Sequence, residues 1–202
     1  MRFRLLLVIL GVLVIAVYGT LAVLILAMSG TDSAIEEPPP GPAVTARDTY
    51  PAAVTEAQTW QPESQLVSAT ASWSNVQSEE DLEEVAAWGF TFLSPQTRKI
   101  RVVSVTPDGA QHVQTADAGP KTRAVEVSAW QVDSTEVVDL FLNNGGGGFL
   151  AQHPGATVSL RVGLEEDSDR LVWYAMGIHS AERATLVIAV DATSGELLST
   201  TP

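Results

Sequence analysis

Hydrophobic positions form one long uncharged run, and beyond it shorter segments in which apolar and polar residues alternate. The run is Leu5–Met28, and at about 1.5 Å per residue it forms roughly 36 Å of helix, enough to cross a hydrocarbon core of about 30 Å. Its length favours an uncleaved signal anchor over a cleavable signal peptide, whose apolar region has about 7–15 residues. Arg2 and Arg4 precede the run, so the positive-inside rule places residues 1–4 in the cytoplasm. We therefore predict a single-pass protein of the cell membrane whose chain after Ser29 is extracytoplasmic.

A segment without apolar periodicity follows, at residues 29–49. It contains three consecutive prolines, Pro38 to Pro40, and another at Pro42. Consecutive prolines favour extended polyproline II, so the segment is predicted to be a semi-rigid stalk.

From residue 50 onward the same order of elements is predicted twice, in units at 50–119 and 120–202 that meet at Gly119-Pro120. Apolar residues predict a short helix at the start of each unit. Alternation with a period of two, or enrichment in aromatic and β-branched residues, predicts the strands that follow. In the first unit the helix is 51–59 and the strands are 67–73, 88–92, 100–105 and 110–113. In the second unit the helix is 137–142 and the strands are 158–164, 171–178, 185–190 and 197–198.

The two units also share a sequence register. Placing residue i against i+85 pairs Trp with Trp, Arg with Arg and Val with Val, at Trp88/Trp173, Arg98/Arg183, Val102/Val187 and Val105/Val190. Shared element order together with shared register predicts a duplication. The predicted fold class is α+β: an N-terminal transmembrane helix at 5–28 followed by two tandem units, each a helix plus a small antiparallel β-meander.

Composition excludes several classes of function. With 11 Lys+Arg against 24 Asp+Glu the formal net charge is −13, and such a surface repels nucleic-acid phosphates. The chain has no cysteine, which excludes disulfides, thiolate metal sites and a cysteine nucleophile.

No reaction centre is evident in the remaining residues. His112, His153 and His179 fall in different predicted elements without ligand spacing, so no metal site is predicted. Gly145–Gly148 could surround an anion, but no Lys follows, and a flexible loop leaving a helix is the favoured interpretation. We predict no catalytic residue and no cofactor.

The acidic runs and the tryptophans each have a functional and a structural interpretation. The acidic runs at 79–84 and 165–169 lack the turn glycine of a calcium loop and are predicted to be solvated. The tryptophans could line a carbohydrate or peptide groove, but core packing is predicted for those on the apolar side of strands. Core positions are predicted for Trp73, Trp88 and Trp173, and exposure for Trp60 and Trp130.

The last predicted hairpin carries a recognisable turn. After a strand, the chain reads Asp-Ala-Thr-Ser-Gly-Glu-Leu from Asp191 to Leu197, which resembles the end of a PepSY domain, where the pattern is Asp-Ala-x-Thr-Gly-Glu-hydrophobic. Ser194 stands where Thr is usual. The resemblance covers about residues 125–202, and the first unit looks like a degenerate copy because Thr106–Gly109 has lost the Asp-Ala pair. The matching turn residues are Asp191, Ala192, Ser194, Gly195 and Glu196.

The resemblance implies a binding or regulatory module. PepSY modules are small α+β domains, usually secreted or membrane-anchored, that are associated with peptidase propeptides and proposed to regulate peptidases. By its own chemistry the turn is structural, because Asp191 can accept backbone N–H bonds and Gly195 can take positive φ. We expect a non-catalytic protein that contacts membrane lipid through 5–28 and binds a protein partner in the membrane or envelope. The alternative is a structural or assembly subunit of a cell-envelope complex.

The predicted topology can be tested with protease. Protease added to intact cells or spheroplasts should digest the part of the chain after Ser29, because that part is predicted to be extracytoplasmic. Immunoblotting of the product measures this, and full protection of that part would contradict the orientation.

Overall fold

A computed structural model of the chain describes residues 45–83, 87–166 and 168–201. The predicted transmembrane helix at 5–28 lies outside these residues, as does the stalk up to residue 44. Within the described ranges, no helix is both long and apolar enough to span a bilayer.

Eight strands and three α-helices are the main elements of the described part of the chain. In chain order they are α1 (Ala46–Trp60), β1 (Gln65–Val76), β2 (Trp88–Ser94), β3 (Lys99–Thr106), β4 (Gly109–Asp117), α2 (Ser134–Phe141), α3 (Gly147–Gln152), β5 (Ala156–Leu164), β6 (Leu171–His179), β7 (Ala184–Asp191) and β8 (Leu197–Thr201).

Capping side chains fix where the two longer helices begin. The Thr45 hydroxyl accepts the backbone N–H of Asp48 at 3.1 Å, so α1 begins at Ala46, within the segment predicted to be stalk. Asp133 caps α2 and forms a capping box with Glu136. Each cap satisfies N–H groups that the first turn of a helix leaves without a partner.

The strands form a single antiparallel sheet in the order β4-β3-β2-β1-β5-β6-β7-β8. The predicted fold class, with two tandem units each built on its own small meander, is therefore wrong. β1 pairs with β5 from Ser68↔Gly163 to Val76↔Ala156 and joins the two meanders at their first strands. An unpaired edge strand presents a row of free backbone N–H and C=O groups, and pairing the two first strands satisfies both rows at once.

The two halves of the sheet have corresponding geometry. Trp88 and Trp173 lie on β2 and β6, the second strand of each half. The turn after each of these strands contains an arginine in the left-handed region, Arg98 with φ 53° and Arg183 with φ 56°. Few non-glycine residues adopt this conformation, so its recurrence at the i, i+85 register marks equivalent turns.

One core lies between the sheet and the helices and draws on both halves. Ala69 and Ala71 on β1 are buried and small, and the rings of Trp88 and Trp173 meet edge to face with centroids 6.1 Å apart. Such an edge-to-face contact is a favoured aromatic geometry. The core is therefore continuous across the junction of β1 and β5.

Trp130 belongs to this core, and the prediction that it is exposed is wrong. Its side chain is 2% exposed, and its Nε1–H donates to the Val132 carbonyl at 2.9 Å. The Nε1–H of Trp173 donates to the same carbonyl, also at 2.9 Å. A buried indole needs an acceptor, and this shared carbonyl supplies one that the sequence pattern did not show. Trp60 is half-buried beneath the guanidinium of Arg101.

Because the sheet and the core are continuous, the two halves should unfold together. Phe90 lies on β2 and is fully buried, so Phe90→Ala should cost about 3–5 kcal/mol. We expect amide hydrogen exchange to accelerate as much in β6 as in β2, while the exposed Thr115→Ala on β4 changes neither. Acceleration confined to β1–β4 would show that the halves are independent.

Candidate functional site

The turn between β7 and β8 closes through hydrogen bonds to Asp191. Its Oδ1 accepts the backbone N–H groups of Thr193 at 2.9 Å and Ser194 at 3.0 Å. Gly195 has φ 77°, and its N–H donates to the Asp191 carbonyl at 2.9 Å. The Ser194 hydroxyl accepts the N–H of Glu196 at 3.3 Å. All of these bonds lie within the turn and serve to close it.

The same turn holds the segment that precedes α2. Ala192 is fully buried, and its carbonyl accepts the N–H groups of Gln131 at 2.9 Å and Val132 at 3.0 Å. The Thr193 hydroxyl donates to the Ala129 carbonyl at 2.9 Å. The turn therefore positions the chain segment that carries Trp130 and the carbonyl of Val132.

The carboxylate of Asp191 is occupied by structural partners. Burial acts to raise the pKa of Asp191, but the hydrogen bonds from Thr193 and Ser194, with Arg170 nearby, together hold that pKa below its usual value. Arg170 Nε lies 3.7 Å from the Asp191 Oδ2. A carboxylate with these partners is a weak base, and its role is to stabilise the turn.

Beyond this turn, β8 forms one edge of the sheet. It pairs with β7, and four of its five residues are exposed. Leu197, at 37%, is an exposed large hydrophobic residue. In the first half, α1 packs over β3 and β4 and so reaches the other edge, whereas in the second half α2 packs on β6 and the turn at Leu142–Gly146 packs on β7.

A histidine–carboxylate cluster lies elsewhere, where no site is predicted from sequence. His153 follows α3, His179 ends β6 and Glu182 lies in the β6–β7 turn. Their ligand-type atoms all lie within 4.8 Å of one another. The third histidine, His112, is on β4 and contacts Thr115 instead. The only sequence signal for the cluster is the spacing of His179 and Glu182 across a tight turn.

The glycine run is structured, so the prediction of a flexible loop is wrong. Gly147 and Gly148 begin α3, and a Cβ on Gly146 would lie 2.5 Å from the Phe141 ring. Gly145, at φ 114°, lies in the turn between the two helices. Close packing explains Gly146 and positive φ explains Gly145, so no anion site is needed to explain either.

Both acidic runs make contacts in their described parts. Asp81 Oδ2 accepts the backbone N–H groups of Gln77 and Ser78 at 2.6 and 3.1 Å. In the second run Glu166 pairs with Lys121 at 2.6 Å, and this partner lowers the pKa of Glu166. Asp169 pairs with Arg123 at 2.5 Å. These pairs tie the linker before α2 to the β5–β6 connection.

A small cavity lies at the start of α1. It measures about 150 Å³ and is lined by Arg47, Tyr50, Val127 and Trp130. Ligand pockets of roughly 300–1,000 Å³ are typical for drug-sized molecules and cofactors, so this cavity is too small for one.

Comparisons with known proteins assign no family. No family model matches the chain, and no curated protein matches it. A crystal structure described as a "putative lipoprotein" from Clostridium difficile 630 is similar at a TM-score of 0.48 and 12% sequence identity, covering 81% of this chain and 95% of that one.

The structural role of the β7–β8 turn can be tested by substitution. Gly195→Val forces a branched residue to positive φ at a cost of about 1 kcal/mol or more, which should lower the melting temperature of the protein by about 2–4 °C. Gly148→Ala is the matched control, because a Cβ there meets nothing within 4 Å. An unchanged melting temperature in Gly195→Val would contradict the role of this glycine.

Asp191→Asn should destabilise the protein in a pH-dependent way. The pKa of Asp191 is lower in the folded protein than the value of about 3.9 expected in the unfolded chain, so its stabilising contribution is present at neutral pH and is lost as pH falls below about 4. The difference in melting temperature between wild type and variant should therefore shrink on acidification. A difference in melting temperature that stays constant between pH 7 and pH 3 would show that the charge of the Asp191 carboxylate does not stabilise the fold.

Proposed function

We propose that the chain is a membrane-anchored, extracytoplasmic binding and regulatory protein of PepSY type, without catalysis of its own, that adds an extended segment of a protein partner to β8. The exposed edge at β8 carries this proposal. Its membrane attachment rests on the uncharged run at 5–28 and the arginines before it.

The chemistry of β8 suits strand addition. Its sequence, Leu-Leu-Ser-Thr-Thr, has no charge and no proline, whereas sheet edges that avoid pairing usually carry lysine, proline or a covering element. An added strand gains main-chain hydrogen bonds, and alternate side chains supply specificity. Exposed Leu197 offers an apolar contact to the incoming segment.

The motif that resembles the PepSY family leads directly into this edge. Asp191 and Gly195 set the direction in which the chain enters β8, since their hydrogen bonds close the turn. A peptidase or its propeptide is accordingly the partner that the resemblance favours. A cell-envelope assembly subunit could use the same edge for lateral contacts, and the identity of the partner separates the two functions.

Site-specific photocrosslinking in the producing cells tests the proposal. A photoreactive residue at Thr201 should crosslink to one protein partner, and the same residue at Gln58 on the exposed side of α1 should not. Ser199→Lys, at an exposed position of β8, should abolish the crosslink because a lysine on an edge opposes strand addition. Gln58→Lys is the matched control for added charge.

Identification of the crosslinked protein decides between the regulatory function and the assembly function. A peptidase supports regulation, and a stable envelope complex supports the assembly function instead. Absence of a product at Thr201, or a product that persists in Ser199→Lys, would contradict binding at β8.

A further inference from the structure

The cluster of His153, His179 and Glu182 joins two parts of the fold. His153 lies at the end of α3, and the other two residues belong to the hairpin of β6 and β7. Glu182 Oε2 lies 2.5 Å from His153 Nδ1 and 3.4 Å from His179 Nδ1. One carboxylate oxygen therefore faces a nitrogen of each imidazole.

The cluster leaves one buried nitrogen without a hydrogen bond. His179 Nδ1 is buried and has no hydrogen-bond partner, although it faces the carboxylate. An unsatisfied buried polar atom is uncommon and calls for an explanation such as ion binding. The two imidazole rings also stack with centroids 5.5 Å apart.

Packing holds the histidines in place. The ring of Phe149 contacts that of His153 at 4.8 Å between centroids. Phe149 in turn lies against Gly177 of β6, where an added Cβ would be 2.8 Å from the Phe149 ring. Absence of a side chain at Gly177 thus lets α3 approach the sheet, and this approach brings His153 to His179.

One separation in this cluster already matches that between neighbouring ligands of a metal site. Zinc binds imidazole nitrogen at about 2.0–2.1 Å and carboxylate oxygen at about 2.0–2.2 Å, which separates neighbouring tetrahedral ligands by roughly 3.3 Å. The His179–Glu182 separation of 3.4 Å already has this value. The His153–Glu182 separation must lengthen from 2.5 Å, and Glu182 can move because its side chain is 57% exposed.

We propose that His153, His179 and Glu182 bind a zinc ion that ties α3 to the β6–β7 hairpin. Two neutral imidazoles and one carboxylate form a donor set that zinc uses in proteins, with the fourth position open to water. The net charge of −13 raises the local concentration of cations around the chain. The ion would satisfy the buried nitrogen of His179 and stabilise the folded protein.

Calorimetric titration of the purified, untagged full-length protein with zinc sulfate tests this site. We expect saturable binding of one zinc ion per chain and a rise in melting temperature, since a ligand that binds the folded state stabilises it. His179→Gln and Glu182→Gln should each weaken zinc binding by at least about tenfold. His112→Gln is the matched control, because that histidine lies outside the cluster.

Cobalt(II) reports the coordination directly, since its visible absorption differs between tetrahedral and hydrated ions. Wild type and His112→Gln should give the tetrahedral spectrum, and Glu182→Gln should not. Exposed Glu182 provides the decisive variant if His179→Gln proves misfolded by circular dichroism. Failure of wild type to bind zinc, or equal zinc affinity in wild type and Glu182→Gln, would overturn the proposal and leave a hydrogen-bonded histidine–glutamate cluster.

Discussion

Hydrogen bonding between β1 and β5 joins two four-stranded meanders into one sheet. Without this pairing, both first strands would expose backbone donors and acceptors beside apolar side chains such as Leu160 and Val162, which are 1% and 2% exposed in the folded protein. The pairing places these side chains on the helix-covered face. It also sets β4 and β8 as the two outer edges, so the position of the proposed binding edge follows from it.

Contacts across the junction reinforce the pairing from the helix side. The N–H of Ala46, at the start of α1, donates to the Ser134 hydroxyl at the start of α2, at 3.1 Å. The Val132 carbonyl accepts from both Trp130 and Trp173, and Trp173 meets Trp88 of the other half. Because the β7–β8 turn fixes the segment that carries Trp130 and Val132, a disturbance at that turn reaches the shared core.

The local sequence pattern was sufficient to predict the strands and the two longer helices, but not to predict which strands pair. Each strand predicted from alternation lies within an observed strand. Side chains of a half-buried strand alternate between apolar and polar whichever strand pairs with it. Pairing of β1 with β5 depends on contacts between distant segments, which no local period encodes. The turn at Asp191–Glu196 was visible because its hydrogen bonds are local. The cluster of His153, His179 and Glu182 was not visible, because His153 reaches His179 only through packing of Phe149 against Gly177.

An engineered disulfide measures the pairing of β1 with β5 most directly, since the natural chain has no cysteine. Ser72 on β1 lies opposite Ser159 on β5, and opposed residues in antiparallel strands have Cα separations of about 4.5–5.5 Å, within the range that a disulfide spans. Met176 lies opposite Ser159 on β6, one strand further away. Oxidation should crosslink Ser72→Cys/Ser159→Cys within one chain and leave Ser72→Cys/Met176→Cys reduced. Failure of the first pair to crosslink, or equal crosslinking of both, would contradict the single continuous sheet.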